Sequence, residues 1–189
     1  MGLMVTLALI VAVGAYLAAI YNGLVGLREG IKVAWANVEV LLKQRHDELP
    51  KLIETCKRCM LFEQETLEKV MRARANVDRA SASGNVAAVG AAERQLRSGV
   101  TRLFAVAESY PELKSNENFK QLQGRITSLE ESIADRRELY NDQVNINNIR
   151  VQVFPESLIA QQFGFRPAQL LEFTQEEKGD VDMNAAFRT

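Results

Sequence analysis

The run from Gly2 to Leu27 constrains this chain more than any other stretch, because it holds no Asp, Glu, Lys, Arg or His. Its centre, Leu3 to Ile20, reads LMVTLALIVAVGAYLAAI, with Thr6 and Tyr16 the only polar side chains. A hydrocarbon core is roughly 30 Å thick and an α-helix rises about 1.5 Å per residue, so about 20 such residues cross it. A secretory signal peptide needs a positive leading region, a short apolar core and a small-residue cleavage site. No Lys or Arg precedes this run, the run is too long, and Ala18-Ala19-Ile20 makes a poor cleavage site. A buried core helix carries a shorter apolar run and keeps one polar face. Residues 1–21 are therefore read as a transmembrane helix.

Flanking charge gives a direction. No Lys or Arg precedes the run, whereas Arg28, Lys32, Lys43 and Arg45 follow it. The rule that positive residues stay inside predicts the N-terminus out and the rest of the chain in the cytoplasm. Tyr21 suits an interfacial anchor, and Trp35 is expected beyond the membrane.

The remaining chain is long enough for one domain with a core. Its charges are mixed, and the whole sequence carries a net charge of -1. No basic stripe stands out, so nucleic acid is not expected as a partner. Apolar residues recur at spacings of 3 and 4 and nowhere alternate strictly, which predicts an all-α fold. The seam Leu24, Leu27, Ile31, Ala34, Val38 and Leu41 predicts one helix continuing from the membrane to about Asp47. Gly23, Gly26 and Gly30 weaken it slightly or admit a close neighbour.

Asp47-Glu48-Leu49-Pro50 is read as a break, with Pro50 in the first turn of a second helix reaching Ala82. Its stripe is Ile53, Cys56, Met60, Leu67, Val70 and Val77. Glu63 and Arg74 fall on that stripe, either as a buried pair or as flanking charges; flanking is favoured because unpaired buried charge is costly. Ser81 to Asn85 reads as a loop. A third helix is expected from Val86 to Tyr110, ended by Pro111. A fourth, capped by Ser115 or Asn116, runs to about Arg150. Its stripe is Phe119, Leu122, Ile126, Leu129, Ile133 and Tyr140, and Val144, Ile146 and Ile149 extend its apolar face through an Asn-rich end. Pro155 to Gly164 reads as a short helix with Pro in its first turn and Gly just past its end. From Gln175 the tail has no periodicity and is expected to be disordered or a partner-dependent extension.

Chemistry-bearing motifs are few. Cys56 and Cys59 form C-x-x-C, but neither a βαβ setting nor a second ligand pair accompanies them, so they are read as small core residues. His46 is the sole histidine and is read as a polar group near a helix end. No nucleophile with a base, metal cluster or phosphate-binding loop is found, so no catalytic, cofactor-binding or metal residue is assigned and no enzyme is expected.

Several motifs in order carry a resemblance. They are Tyr21-Asn22-Gly23-Leu24-Val25-Gly26-Leu27-Arg28; Ala34-Trp35-Ala36-Asn37-Val38 with Lys43-Gln44-Arg45-His46-Asp47 and Leu49-Pro50; Ala105-Val106-Ala107-Glu108-Ser109-Tyr110-Pro111-Glu112-Leu113-Lys114 with Phe119 and Leu122-Gln123; and Tyr140-Asn141, Phe154-Pro155 and Phe163-Gly164-Phe165. From Tyr21 to Phe173 the chain resembles the LemA family of bacterial membrane proteins. The resemblance implies an inner-membrane protein whose N-terminal membrane helix runs into a cytoplasmic antiparallel, up-down four-helix bundle. The expected organisation is 1–21 transmembrane helix, 22–173 bundle and 174–189 polar tail. The family has no established enzymatic activity; one branch resembles a magnetosome-formation protein, and others neighbour genes for membrane metalloproteases. Family members often carry His before the glutamate of the second helix, where this chain has Phe62 before Glu63. Arg45, Asp47, Glu108 and Arg137 match family positions and are read as polar bundle contacts.

An up-down order places the Phe154–Phe165 cluster beside Tyr21 and Arg28, either in the membrane interface or capping the bundle base. The expected function is a membrane-anchored helical-bundle scaffold or interaction protein that works by self-assembly as a homo-oligomer or by presenting its coiled-coil-like bundle to other proteins. The alternative is an adaptor or regulator of a membrane protease, such as a metalloprotease, or of an envelope-stress system. The lipid bilayer is the other expected partner.

Overall fold

The computed structural model describes residues 1–172, and among them it contains helices and no strands. They are α1 (Gly2–Lys57), α2 (Gln64–Ala82), α3 (Val86–Ala107), α4 (Pro111–Ser115), α5 (Glu117–Arg150) and α6 (Glu156–Phe163). The all-helical fold with a long apolar first helix is as the periodicity and the resemblance require. The polar tail expected at 174–189 lies outside the described residues.

The chain forms two compact units, and α1 and α5 each lend one part to both. The first unit joins residues 1–40 to 134–170. Residues 1–19 of α1 are all exposed, and Ile20 is the first buried one. The Thr6 hydroxyl donates to the Leu3 carbonyl at 2.9 Å, satisfying the polar group within the apolar run. From Ile20 onward α1 packs antiparallel to the second half of α5. Gly23 lies against Arg150 and Gly30 against Gln143; an added Cβ would come within 2.9 Å and 3.1 Å of those side chains. Trp35 packs on Tyr140, with ring centroids 5.4 Å apart. Ile20, Leu24, Val151, Ala160 and Phe165 form a small core. Gly164 ends α6 in the left-handed region at φ 70°, and the Phe165 amide closes on the Ala160 carbonyl at 2.9 Å.

The end of α5 departs from its expected amphipathicity. Tyr140, Val144, Asn147 and Val151 are buried at 4-3-4 spacing, while Ile146 and Ile149 are exposed. The cause is the strand-free segment 166–170, whose backbone groups need partners. Asn147 Nδ2 donates to the Arg166 carbonyl (3.2 Å), and Tyr140 Oη donates to the Gln169 carbonyl (2.9 Å). Asn148 donates to the Ala168 carbonyl and accepts from the Ala168 amide, at 3.0 and 2.8 Å, as a neighbouring strand would. The amide side chains turn inward because the backbone they satisfy is there.

The second unit joins residues 41–133 to Leu171 and Glu172. It contains the end of α1, α2, α3, α4 and the first half of α5. α2 and α3 are antiparallel, with Val70 beside Gly99 and Asn76 within 3.5 Å of Gln95. Gly84 turns the chain at φ 66°, and Asn85 Oδ1 accepts from the Ala88 amide at 3.1 Å. The core runs through Leu49, Leu52, Met60, Val70, Leu96, Leu103, Leu113 and Ile126. Leu171 is fully buried, and the Glu172 carbonyl oxygen approaches Gly90 too closely to leave room for a Cβ. Only glycine fits there.

Pro50 does not start a helix. α1 runs through it to Lys57, and the break comes at residues 58–63. A mid-helix proline removes the N–H that would reach the carbonyl four residues back. That carbonyl belongs to His46, and Arg74 Nε donates to it at 3.1 Å. A side chain from α2 thus replaces the missing amide. Cys56 and Cys59 accordingly straddle a helix end, with the Met60 amide closing on the Cys56 carbonyl at 2.8 Å. α3 stops at Ala107, short of Tyr110, and the unexpected α4 starts on Pro111 and inserts Leu113 into the core. Asn116 caps α5, its Oδ1 accepting from the amides of Asn118 (3.0 Å) and Phe119 (3.2 Å).

Candidate functional site

Two places concentrate polar or aromatic side chains, one in each unit. In the second unit Arg45 of α1 is 1% exposed and is held by two carboxylates. Its Nη2 donates to Glu93 Oε2 of α3, and its Nη1 donates to Glu130 Oε1 of α5 at 2.6 Å. Glu93 is equally buried. Burial pushes its carboxyl above the usual carboxylate range, against the opposing pull of Arg45. One turn on, the buried Glu48 binds Arg125 Nε at 3.0 Å and Lys51 Nζ at 3.1 Å. This ionic centre ties three helices together at fixed register.

His46 lies within α1, well before its end. Its Nε2 faces Arg74 Nη2, and its Nδ1 lies 2.7 Å from Asp78 Oδ1. Since a guanidinium can only donate, Nε2 accepts and a neutral ring carries its proton on Nδ1. The ring is thereby held between α1 and α2. Glu63 lies near Thr66 (3.5 Å) and is not Arg74's partner. Asp47 and Glu108 are exposed, and Arg137 is half-buried. Cys56 is buried, Cys59 half-buried, and both are free thiols. Burial first, and the neighbouring Cys59 second, push the Cys56 thiol up to about 12. It stays protonated at neutral pH, which suits a core residue and not a nucleophile. Among the described residues no group of three or more His, Cys, Asp or Glu is placed to hold a metal ion.

Sequence reasoning passed over Glu93, although a signal existed. On α3 the large buried apolar residues are Val89, Leu96, Val100 and Leu103, and Glu93 fills the gap between Val89 and Leu96 at spacings of 4 and 3. Arg45 likewise continues the buried series Val38, Leu42, Leu49 and Leu52.

The second place is the collar where α1 leaves its apolar run. Tyr21 packs edge-on to Phe163 and Phe165, with centroids 4.9 and 5.7 Å away. Arg28 lies over the Phe165 ring at 5.3 Å. Arg150 binds both oxygens of Glu156 at 2.7 Å, fastening α6 to the end of α5. That hydrogen bonding holds the Glu156 carboxyl below the usual carboxylate range. Phe165 is buried, but Phe154, Leu158 and Phe163 are 76%, 58% and 58% exposed. The sequence brought this aromatic cluster together correctly; part of it caps the base of the unit and part remains uncovered.

Residues 34–184 match the LemA family. Magnetosome protein MamQ 2 of Paramagnetospirillum magneticum is 34% identical over 80 residues, covering 42% of this chain and 29% of that protein. Magnetosome protein MamQ of Magnetospirillum gryphiswaldense is 28% identical over the same extent. The matched stretch therefore spans less than a third of those relatives. The family match and the exposed apolar start of α1 make this a membrane-associated protein. The chain belongs to the LemA family.

Proposed function

We propose that the protein is a membrane-anchored scaffold that assembles with copies of itself, its N-terminus outside and its helices in the cytoplasm of a bacterial cell. The observation that carries this reading is an apolar seam on the outward face of α5. Leu139, Ile146 and Ile149 are exposed, and Val153 continues their spacing just past the helix. At 3.6 residues per turn they form a stripe turned away from the packed face of Tyr140, Val144 and Asn147. Spacings of 7, 3 and 4 are those of a coiled-coil seam awaiting a partner helix. Val33 and Val40 on α1 are also exposed, seven residues apart. Because α1 leaves its apolar run without a break, such a seam is presented in a fixed direction from the membrane, which favours ordered assembly. The full-length protein in mild detergent is expected to run at a multiple of its protomer mass by light scattering. Ile146→Ser with Ile149→Ser should reduce it to single protomers; unchanged mass in that variant, or a wild-type monomer, sinks the reading.

The adaptor reading draws on a cleft of about 550 Å³ lined by Ile53, Met60, Leu61, Leu67 and Met71, beside the almost fully exposed Phe62. A membrane protease partner that binds there would be retained in native-membrane pull-downs by wild type and lost by Phe62→Ser.

A further inference from the structure

We propose that α6 and the turn before it form a second membrane contact, with Phe154, Leu158 and Phe163 seated in the headgroup boundary of the leaflet from which α1 emerges. The inference rests on the reading of α1 as a membrane span and extends it to a segment far away in sequence. Ile20 closes the apolar run and is also a core partner of Ala160 in α6. Tyr21, the next residue, packs edge-on against Phe163. α6 is therefore held at the height where α1 passes from lipid to water. Ile159, Ala160 and Phe165 fasten this segment to α1, while Phe154, Leu158 and Phe163 each keep more than half of their surface uncovered at that height. Its only charged residue, Glu156, is doubly hydrogen-bonded to Arg150, so no free carboxylate opposes an anionic surface. A short helix fastened at Ile159 and Ala160, with Leu158 exposed on it and Phe154 and Phe163 exposed at its two ends, suits burial in the headgroup region and not in the hydrocarbon centre when placed at an interface. Aromatic rings are the side chains most at home there.

The test uses full-length protein in vesicles of phosphatidylethanolamine and phosphatidylglycerol, some carrying brominated chains. Trp35, the sole tryptophan, is replaced as Trp35→Phe, and single reporters are introduced as Leu158→Trp, Phe154→Trp, Tyr16→Trp and Val40→Trp. All four positions are exposed, and circular dichroism verifies the helices of each variant. The expected result is blue-shifted emission from the reporters at 154 and 158, quenched most by bromines high on the chains. The reporter at 16 should be quenched most by deep bromines, and the one at 40 by neither. If the reporter at 16 is quenched and those at 154 and 158 are not, the second contact is overturned and the span stands. If the reporter at 16 also escapes quenching, the span itself fails. Blue-shifted but unquenched emission at 154 and 158 means that another protein copy covers the face, which equally overturns the proposal.

Discussion

At the scale of single residues, the second unit depends on polar side chains doing what the backbone or water would otherwise do. Arg74 supplies a donor to the carbonyl that Pro50 orphans. Arg74→Ala should cost about 1 kcal/mol, at the low end of the penalty for an acceptor left unmade, because this one is only half-buried. Pro50→Ala restores the amide, so the loss from Arg74→Ala should shrink in that background; urea denaturation of the four proteins measures the coupling. Arg45 is the counterpart for charge. Arg45→Met strands Glu93 in the core and should cost about 3–5 kcal/mol. Adding Glu93→Gln should recover part of that loss, because the remaining group is neutral; equal midpoints for the single and double variants would refute this account.

At the scale of elements, α6 is held by a pair whose strength depends on pH. Hydrogen bonding to Arg150 lowers the Glu156 pKa from 4.5. A lowered folded-state value stabilises above the unfolded pKa, and that contribution is lost as pH falls through the depressed one. Protection of the α6 amides from hydrogen exchange should therefore drop in acid relative to neutral pH. In Glu156→Gln it should start lower and show a smaller acid drop. The same element scale explains the Asn-rich end of α5. Its composition reads as a solvated helix end, yet Asn147 and Asn148 face a chain segment that the sequence gives no sign of. Ile146 and Ile149 go outward for that reason, and the expected apolar face is displaced by a buried amide.

At the scale of the whole molecule, the charge asymmetry around the apolar run predicts one crossing with the N-terminus out. Alkaline phosphatase fused at the C-terminus should stay inactive in a bacterial host, and green fluorescent protein fused there should fluoresce. Active phosphatase would reverse the orientation. The division into two units belongs to this scale as well. The seam Leu24 to Val38 was legible because buried apolar residues recur every 3 or 4 positions on one helix. That α1 serves one unit with its first part and the other with its last was not, because Pro50 reads locally as a stop.

The sequence alone determined the apolar first helix, the all-helical class, the Gly164 cap and a cap of α5 at Ser115 or Asn116, because each depends on residues close together in the chain. Tertiary structure decided the rest. A helix passes through Pro50 only where a guanidinium from α2 meets the freed carbonyl, and Glu93 is tolerated inside only where Arg45 reaches it. Asn147 turns inward only where an unpaired backbone arrives from residue 166. Each case pairs groups distant in sequence, and the free-energy cost of leaving either partner alone is what no local pattern records.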